Sequence, residues 1–202
     1  MRAEVKERAW EQIAAAGASA LSLNAIARQM GMTGPALYRY FASRDDLITE
    51  LVRDACRSLA DTLRTASADG ADLAGLAHAL RGWALEDAHR YFLVYGTPVP
   101  GYHAPEDITG IADEIMGTLL DACTALAPEG STAPFATHLE DHRHWAGGRA
   151  VPTAVLHRAL HFWTRLHGAL SLEPAGHFTG MGFGPALLFA AEVDDLMTAD
   201  RT

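Results

Sequence analysis

Two short helical patterns lie on either side of Gly31, too close together to be joined by anything except a sharp turn. Apolar residues recur every three or four positions over residues 23–30, as they do on the buried side of a helix. Beyond the glycine, Leu37 and Phe41 form an apolar pair four residues apart. Two short helices crossing over a tight turn make a helix-turn-helix. Residues 22–41 therefore predict a small unit whose second helix has one buried and one outward side.

The remainder of the chain also predicts helices. Ala, Leu, Arg and Glu dominate its long segments, and the alternation of apolar and polar residues that marks half-buried strands is absent. We expect an all-α fold, with a helix-turn-helix domain of three helices at residues 1–48 and a second helical domain at 49–202. The later helices are expected at about 43–66, 72–88, 106–127, 152–173 and 185–197, with a short helix from Tyr91 and the least regular segment at 128–148.

The charge of the chain is unevenly distributed. The net charge is −9, but residues 1–53 contain seven basic and six acidic side chains, so the excess of acid lies entirely in residues 54–202. Between Gln12 and Arg44 the charged residues are Arg28, Arg39 and Arg44, with no acid. A locally basic N-terminal unit on an acidic body is compatible with a nucleic-acid partner, whose phosphates attract Arg and Lys.

Several classes of protein are disfavoured by composition. No run of about 18 apolar residues is present to span a membrane, and the first residues lack the pattern of a signal peptide. Two cysteines, Cys56 and Cys123, are too few for a disulfide framework or a four-thiolate metal site. We therefore expect a soluble cytoplasmic protein without a membrane partner.

The outward side of the second short helix carries side chains suited to DNA. Arg39 has the fork of donors that pairs with guanine, and the tyrosine hydroxyls suit phosphate oxygens. Arg44 and the capped helix start at Ser22 are further candidate phosphate donors. The residues predicted to contact DNA are Ser22, Asn24, Thr33, Gly34, Pro35, Ala36, Tyr38, Arg39, Tyr40 and Arg44.

Residues 21–48, LSLNAIARQMGMTGPALYRYFASRDDLI, resemble the DNA-binding region of TetR-type transcriptional repressors. The matching features are the Ile26-Ala27 pair, Gly31, Tyr38, Phe41 and a basic residue before Leu47. Arg44 stands where the family usually has Lys, and Tyr40 replaces a frequent His. The resemblance implies a DNA-binding regulator, most often a repressor, with double-stranded DNA as its partner.

Two later segments, 90–105 and 162–178, resemble the C-terminal domain of a TetR subgroup with a Trp-x3-His-Gly motif, here Trp163, His167 and Gly168. The resemblance implies that residues 49–202 bind a small-molecule effector and mediate dimerisation. Aromatic residues with polar tips beside a Gly/Pro break also suit a pocket for an apolar or aromatic ligand. The predicted pocket residues are Trp83, Tyr91, Phe92, Tyr95, Tyr102, Trp163 and His167.

The last two predicted helices have apolar residues on more than one side. A surface helix of a monomer needs one apolar stripe, so a second stripe indicates a second packing partner. A two-fold homodimer would satisfy it and would require a palindromic operator. The residues predicted at that interface are Val155, Ala159, Phe162, Leu166, Leu187, Ala190 and Val193.

An alternative is an all-α metal-binding or hydrolytic protein that uses the cluster from His138 to His144. His138 and His142 are spaced four residues apart, as two ligands on one helix face would be. A third ligand is not evident, and neither a phosphate-binding loop nor a nucleophile motif is found. We therefore expect a protein that is not an enzyme, with no metal site, no catalytic residues and no cofactor.

Overall fold

The computed structural model describes residues 1–103, 105–126 and 134–198, and the regular elements in these ranges are helical. The all-α prediction is confirmed. No helix in the described ranges is both long and apolar enough to cross a membrane. The α-helices are α1 (Arg2–Ala16), α2 (Leu23–Gln29), α3 (Gly34–Tyr38), α4 (Arg44–Ala68), α5 (Leu73–Glu86), α6 (Ala88–Tyr95), α7 (Glu106–Ala125), α8 (Pro134–Asp141), α9 (Thr153–Leu172) and α10 (Pro185–Thr198), with 3₁₀ turns at Ala18–Ala20 and His144–Ala146.

The first three helices enclose a small core built from apolar residues at helical spacing. On α1, Val5, Ala9 and Ile13 recur every four residues and are buried. They join Leu37 and Phe41, which are 0% and 2% exposed, in one continuous hydrophobic cluster. The apolar pair predicted on the second short helix therefore lies on its buried side.

Side-chain caps and one glycine define the ends of the short helices. Ser22 accepts a hydrogen bond from the Ala25 N–H at 3.3 Å, and so caps α2 as predicted. Gly31 has a φ of 65°, which a glycine adopts without steric cost, and it allows the sharp turn. Thr33 immediately precedes α3, and its side chain makes no capping hydrogen bond.

The helix α4 connects the N-terminal unit to the rest of the molecule. Ser43 caps it by accepting from the Asp46 N–H at 3.0 Å. Its 25 residues span about 37 Å. One stripe of apolar residues at helical spacing is buried throughout: Leu47, Leu51, Ala55, Leu59 and Leu63. At its start α4 is hydrogen-bonded to the loop between α1 and α2, and along its length it packs against α5, α6 and α7, so one helix contacts both halves of the chain.

The helix α9 lies at the centre of the second domain, and this corrects the predicted dimer interface. It packs against α5, α7, α8 and α10, so partners within the chain cover both of its apolar stripes. Val155, Ala159, Phe162, Leu166 and Val193 are each at most 2% exposed and leave no surface for a second chain. Leu187, which is 76% exposed, and the half-buried Ala190 do lie towards the outside of α10.

The segment predicted as least regular, 128–148, contains a further helix. Pro134 begins α8, whose Ala136 and Leu139 are buried against the second domain. Only two of the eight residues of α8 are buried, so most of its positions are polar or exposed. The sequence therefore shows too few apolar residues at helical spacing to predict this helix. The part of the prediction that concerns residues 127–133 lies outside the described residues.

The Arg44 side chain fastens the start of α4 to the loop between α1 and α2. Its Nη2 group donates to the carbonyl oxygens of Ala18, at 2.9 Å, and Ser19, at 3.2 Å. Its Nε group donates to the Leu21 carbonyl oxygen at 3.2 Å. Most of the guanidinium is thus occupied within the chain. Arg44 therefore has a structural role within the chain, and its predicted contact with phosphate stays a prediction.

We predict that Arg44→Ala lowers the free energy of unfolding by about 1–3 kcal/mol, because three carbonyl oxygens lose a charged donor. Arg44→Lys should recover only part of this loss, since an ammonium group lacks the planar fork of donors. Denaturant titration measures both effects. The control Arg64→Ala removes an exposed arginine from the same helix and should cost less than about 0.5 kcal/mol. Wild-type stability of Arg44→Ala would contradict the structural role.

Candidate functional site

The outward side of α3 and the turn after it present polar side chains to solvent. Tyr38 is 44% exposed, Arg39 is exposed and Tyr40 is half-buried. Leu37 and Phe41 are buried beneath them. The helix is therefore two-sided, and its exposed side carries an arginine and two phenols. This is the surface on which the sequence predicts contact with DNA.

The start of α3 fits closely against α2. A Cβ atom at Gly34 would lie 3.3 Å from the Asn24 Oδ1 atom, which is tighter than ordinary van der Waals contact. Gly34 therefore allows the two helices to approach. Thr33 and Pro35 are exposed beside it and Ala36 is half-buried, so the predicted group around the start of α3 lies together at the surface.

Sequence reasoning missed Arg2, which lies beside this surface. Its Nη1 group donates to the Tyr40 carbonyl oxygen at 2.6 Å, and its guanidinium lies 4.4 Å from the centre of the Phe41 ring. A second cation is thereby held next to Arg39 and Tyr40. The only signal in the sequence is a basic residue at the start of α1, and the 38-residue separation from Tyr40 conceals the contact.

Four of the predicted pocket residues form one aromatic cluster in the second domain. The Tyr91 hydroxyl lies 3.0 Å from the His167 Nδ1 atom. The Tyr95 ring lies 4.4 Å from the His167 ring and 5.6 Å from that of Trp163. Phe92 contacts the edge of this cluster through Tyr91, at 5.4 Å between ring centres. Helices α6 and α9 are therefore joined by the predicted aromatic residues.

Trp83 does not belong to this cluster. It is 3% exposed, and its indole N–H donates to the Ser58 Oγ atom at 3.1 Å, which fixes α5 against α4. The Arg90 guanidinium lies over its ring at 4.7 Å. The predicted pocket role of Trp83 is therefore replaced by a packing role between helices.

A cavity of about 300 Å³ lies beside the aromatic cluster, between α4, the end of α6 and α7. Of the predicted pocket residues, it is lined by Tyr95 and Tyr102. The rest of the cavity wall is mostly aliphatic, and the sequence did not predict these residues as pocket residues. A second apolar stripe on α4 is the signal that could have found it. The lining residues are Ile48, Val52, Cys56, Leu93, Val94, Tyr95, Gly96, Thr97, Pro98, Val99, Tyr102, Ile108, Ala112 and Ile115.

Burial keeps the ionisable groups around this region uncharged. It raises the pKa of the Cys56 thiol and of the Tyr95 phenol, raises the pKa of Tyr91 to about 12, and lowers the pKa of His167 to about 4. Two buried polar atoms, the Tyr102 hydroxyl oxygen and His167 Nε2, have no hydrogen-bond partner among the residues that the structure describes. The region is therefore neutral and apolar, with unused hydrogen-bonding capacity.

Two family models match the chain. One, described as "Bacterial regulatory proteins, tetR family", matches residues 7–51 and includes the exposed side of α3. The other, described as "Tetracyclin repressor-like, C-terminal domain", matches residues 73–196 and includes the aromatic cluster and most of the cavity wall. The chain belongs to the TetR family. It is a helix-turn-helix transcriptional regulator, as the resemblance of residues 21–48 implied.

Relatives of this TetR-family regulator agree over nearly its whole length. The HTH-type transcriptional regulator Rv1816 of Mycobacterium tuberculosis is 36% identical over an alignment of 208 positions, which covers 95% of this chain and 88% of that protein. The crystal structure of the regulatory protein SCO4313 has 68% sequence identity and a TM-score of 0.91, covering 96% of this chain and 94% of that one. The fold is shared with FadR of Bacillus subtilis, solved in complex with stearoyl-CoA, at a TM-score of 0.66 and 13% identity, with 98% of each chain covered.

His138 near the end of α8 and His142 just after it lie side by side. The rings of His138 and His142 stack with their centres 3.9 Å apart, and His142 Nδ1 lies 2.9 Å from the His138 carbonyl oxygen. In the described part of the chain, no group of three or more His, Cys, Asp or Glu side chains is placed to hold a metal ion. The metal-binding or hydrolytic alternative therefore gains no support from the structure.

We predict that burial of His167 makes the stability of this TetR-family regulator depend on pH. The folded chain takes up this proton near pH 4, whereas the unfolded chain takes it up near the ordinary value of 6.5. The unfolded state therefore binds more protons between these values. The free energy of unfolding should fall by about 2 kcal/mol from pH 7 to pH 5 because of this group.

Denaturant titrations at the two pH values measure the effect, and His167→Gln should lose less stability on acidification than the wild type by that amount. His177→Gln, which changes an exposed histidine, should retain the full dependence and provides the control. An unchanged pH dependence in His167→Gln would show that the imidazole is not held neutral by burial.

Proposed function

We propose that this regulator is a repressor that binds a palindromic operator as a two-fold dimer and is released by a small apolar effector. The observation that carries the proposal is the course of α4. This helix begins beside the exposed side of α3 and forms one wall of the 300 Å³ cavity. A single rigid element thus touches both the surface suited to DNA and the space suited to a ligand.

The DNA contact is assigned to the exposed side of α3. Arg39 can donate two hydrogen bonds to a guanine edge in the major groove, and Tyr38 offers a hydroxyl to a phosphate oxygen together with an apolar ring. The other residues of the predicted contact surface are Ser22, Asn24, Thr33, Gly34, Pro35, Ala36, Tyr40 and Arg44. Arg2 adds a cation at its margin. Because operator binding requires access to chromosomal DNA, the proposal includes a cytoplasmic location.

The coupling between ligand and DNA is assigned to the side of α4 that carries Ile48, Val52 and Cys56. These residues are spaced four apart and line the cavity together. Ile48 lies about one helical turn from Arg44, which fastens α4 to the N-terminal unit. A ligand that prefers one position of α4 would therefore reorient that unit. A 100-fold loss of DNA affinity requires about 2.7 kcal/mol of coupling.

The proposed dimer uses an exposed apolar patch at the start of α10. Met181, Phe183 and Leu187 are 63%, 43% and 76% exposed, and the Phe178 and Phe183 rings lie 5.4 Å apart. Large apolar side chains exposed together are typical of an interaction surface. A two-fold axis through this patch would pair two N-terminal units, and half-sites would then lie about 34–36 Å apart or at a multiple of this distance.

We predict that Arg39→Ala weakens operator binding by about 1–3 kcal/mol and relaxes the base preference at one position of each half-site. The operator is first located by footprinting the DNA that flanks the gene. Binding is then measured by fluorescence anisotropy at several salt concentrations. Arg64→Ala removes the same charge from the exposed side of α4 and is the control. Equal operator affinity and base preference in the two variants would contradict the assignment to α3.

We predict that Leu187→Glu converts the dimer to a monomer and abolishes tight binding to the palindrome, because it places a charge in the apolar patch. The folded monomer should retain its stability, since Leu187 is 76% exposed. Analytical ultracentrifugation and anisotropy measure the two effects. Leu85→Glu introduces the same charge at an exposed leucine of α5 and should remain dimeric. A dimeric Leu187→Glu would place the interface elsewhere.

A further inference from the structure

We infer that the effector is an uncharged molecule of about two fused rings that carries one hydrogen-bonding group for the Tyr102 hydroxyl. This inference rests on the proposed function, because it concerns the chemistry of the same cavity. Three features of the cavity support it: the absence of charge in its wall, its volume, and the unpaired hydroxyl of one lining residue.

The described residues that line the cavity include no charged side chain. Its polar side-chain atoms belong to Tyr95, Thr97, Tyr102 and Cys56, and burial keeps the Tyr95 phenol and the Cys56 thiol protonated by raising the pKa of each. A carboxylate, phosphate or ammonium group would move from water into the cavity and find no ionic partner there. Such a transfer is strongly unfavourable. The wall therefore selects against ions of either sign.

The volume limits the size of the ligand. A cavity of about 150 Å³ lined by apolar side chains holds one benzene ring. The cavity of about 300 Å³ therefore accommodates about two such rings. Thr97, Pro98 and Ala112 line it and are exposed, which provides a route from solvent. Long acyl chains and nucleotide-sized ligands exceed this space.

Tyr102 supplies the polar contact. Pro100 and Gly101, whose φ is 78°, form the centre of a tight turn that is closed by a hydrogen bond of 3.1 Å from the Tyr102 N–H to the Val99 carbonyl oxygen. Proline followed by a glycine of positive φ is typical of a type II turn, which fixes the position of the next residue. The Tyr102 hydroxyl is buried and has no partner in the described chain. Because burying an unpaired hydroxyl is unfavourable, a ligand that pairs with it gains affinity.

The test compares four probes that share one ring system, namely naphthalene, 2-naphthol, 2-naphthoate and 2-naphthylmethylammonium. Calorimetric titration of the full chain at pH 7 should show 2-naphthol binding once per chain and about three- to tenfold more tightly than naphthalene, the range expected for one neutral hydrogen bond. The two charged probes should bind at least tenfold more weakly than 2-naphthol.

Two variants locate the effect. Tyr102→Phe removes only the hydroxyl, so it should bind naphthalene as the wild type does and lose the preference for 2-naphthol. Ala112→Phe should weaken both ligands alike by filling the cavity from an exposed position, which is expected to preserve the fold. Thermal unfolding without ligand verifies that both variants are folded.

Three results would overturn the inference. Equal affinity for 2-naphthoate and 2-naphthol would refute the selection against charge. If Tyr102→Phe still bound 2-naphthol more tightly than naphthalene by the wild-type factor, the role of the hydroxyl would be refuted. No binding of the three substituted probes at 1 mM, together with none of naphthalene at saturation, would refute the class of ligand. Operator binding, measured in the same preparations, separates these failures from failure of the proposed function, because it needs no probe in the cavity.

Discussion

Burial of two sides of α4 is the interaction on which the rest of the structure depends. One stripe, with Leu47, Leu51 and Leu59 fully buried, belongs to the continuous core that runs from the first three helices into the second domain. The other stripe, at residues 48, 52 and 56, forms the wall of the cavity. A helix held on one side by close packing and bordered on the other by open space is stable, yet it leaves a ligand room to bind against it.

The helix-turn-helix could be predicted from the sequence because its determinants are local. The cap at Ser22 and the turn at Gly31 involve residues within a few positions of each other, and the pair of Leu37 and Phe41 spans about one helical turn. The role of Arg44 could not be predicted in this way. Its partners Ala18, Ser19 and Leu21 lie more than 20 residues away and contribute only carbonyl oxygens, which every residue possesses.

The second domain was predicted less well because its determinants are long-range. The aromatic pattern in the sequence pointed to Tyr95 and Tyr102, but the aliphatic residues that form most of the cavity wall look like any other core residues. Two apolar stripes on α9 indicated a second chain, whereas neighbouring helices of the same chain cover them. A stripe reveals that a side is buried and does not reveal what covers it. Both Leu187 and Val193 were predicted at the dimer interface, and only the structure shows that Leu187 is exposed whereas Val193 is buried.

The shortness of α3 explains why a repressor of this design would depend on two DNA-binding units. Five helical residues span about 7 Å, enough to present Arg39 and its neighbours to a few base pairs but too little for tight binding alone. When two such units are joined in a dimer, binding of the second unit to DNA becomes intramolecular. This multiplies the affinity for DNA, provided that both units reach their half-sites together. An effector then need not alter the structure of either DNA-binding unit. Because the joined affinity would be lost once the spacing is wrong, a small shift of α4 against the neutral cavity would be sufficient for release in the proposed mechanism.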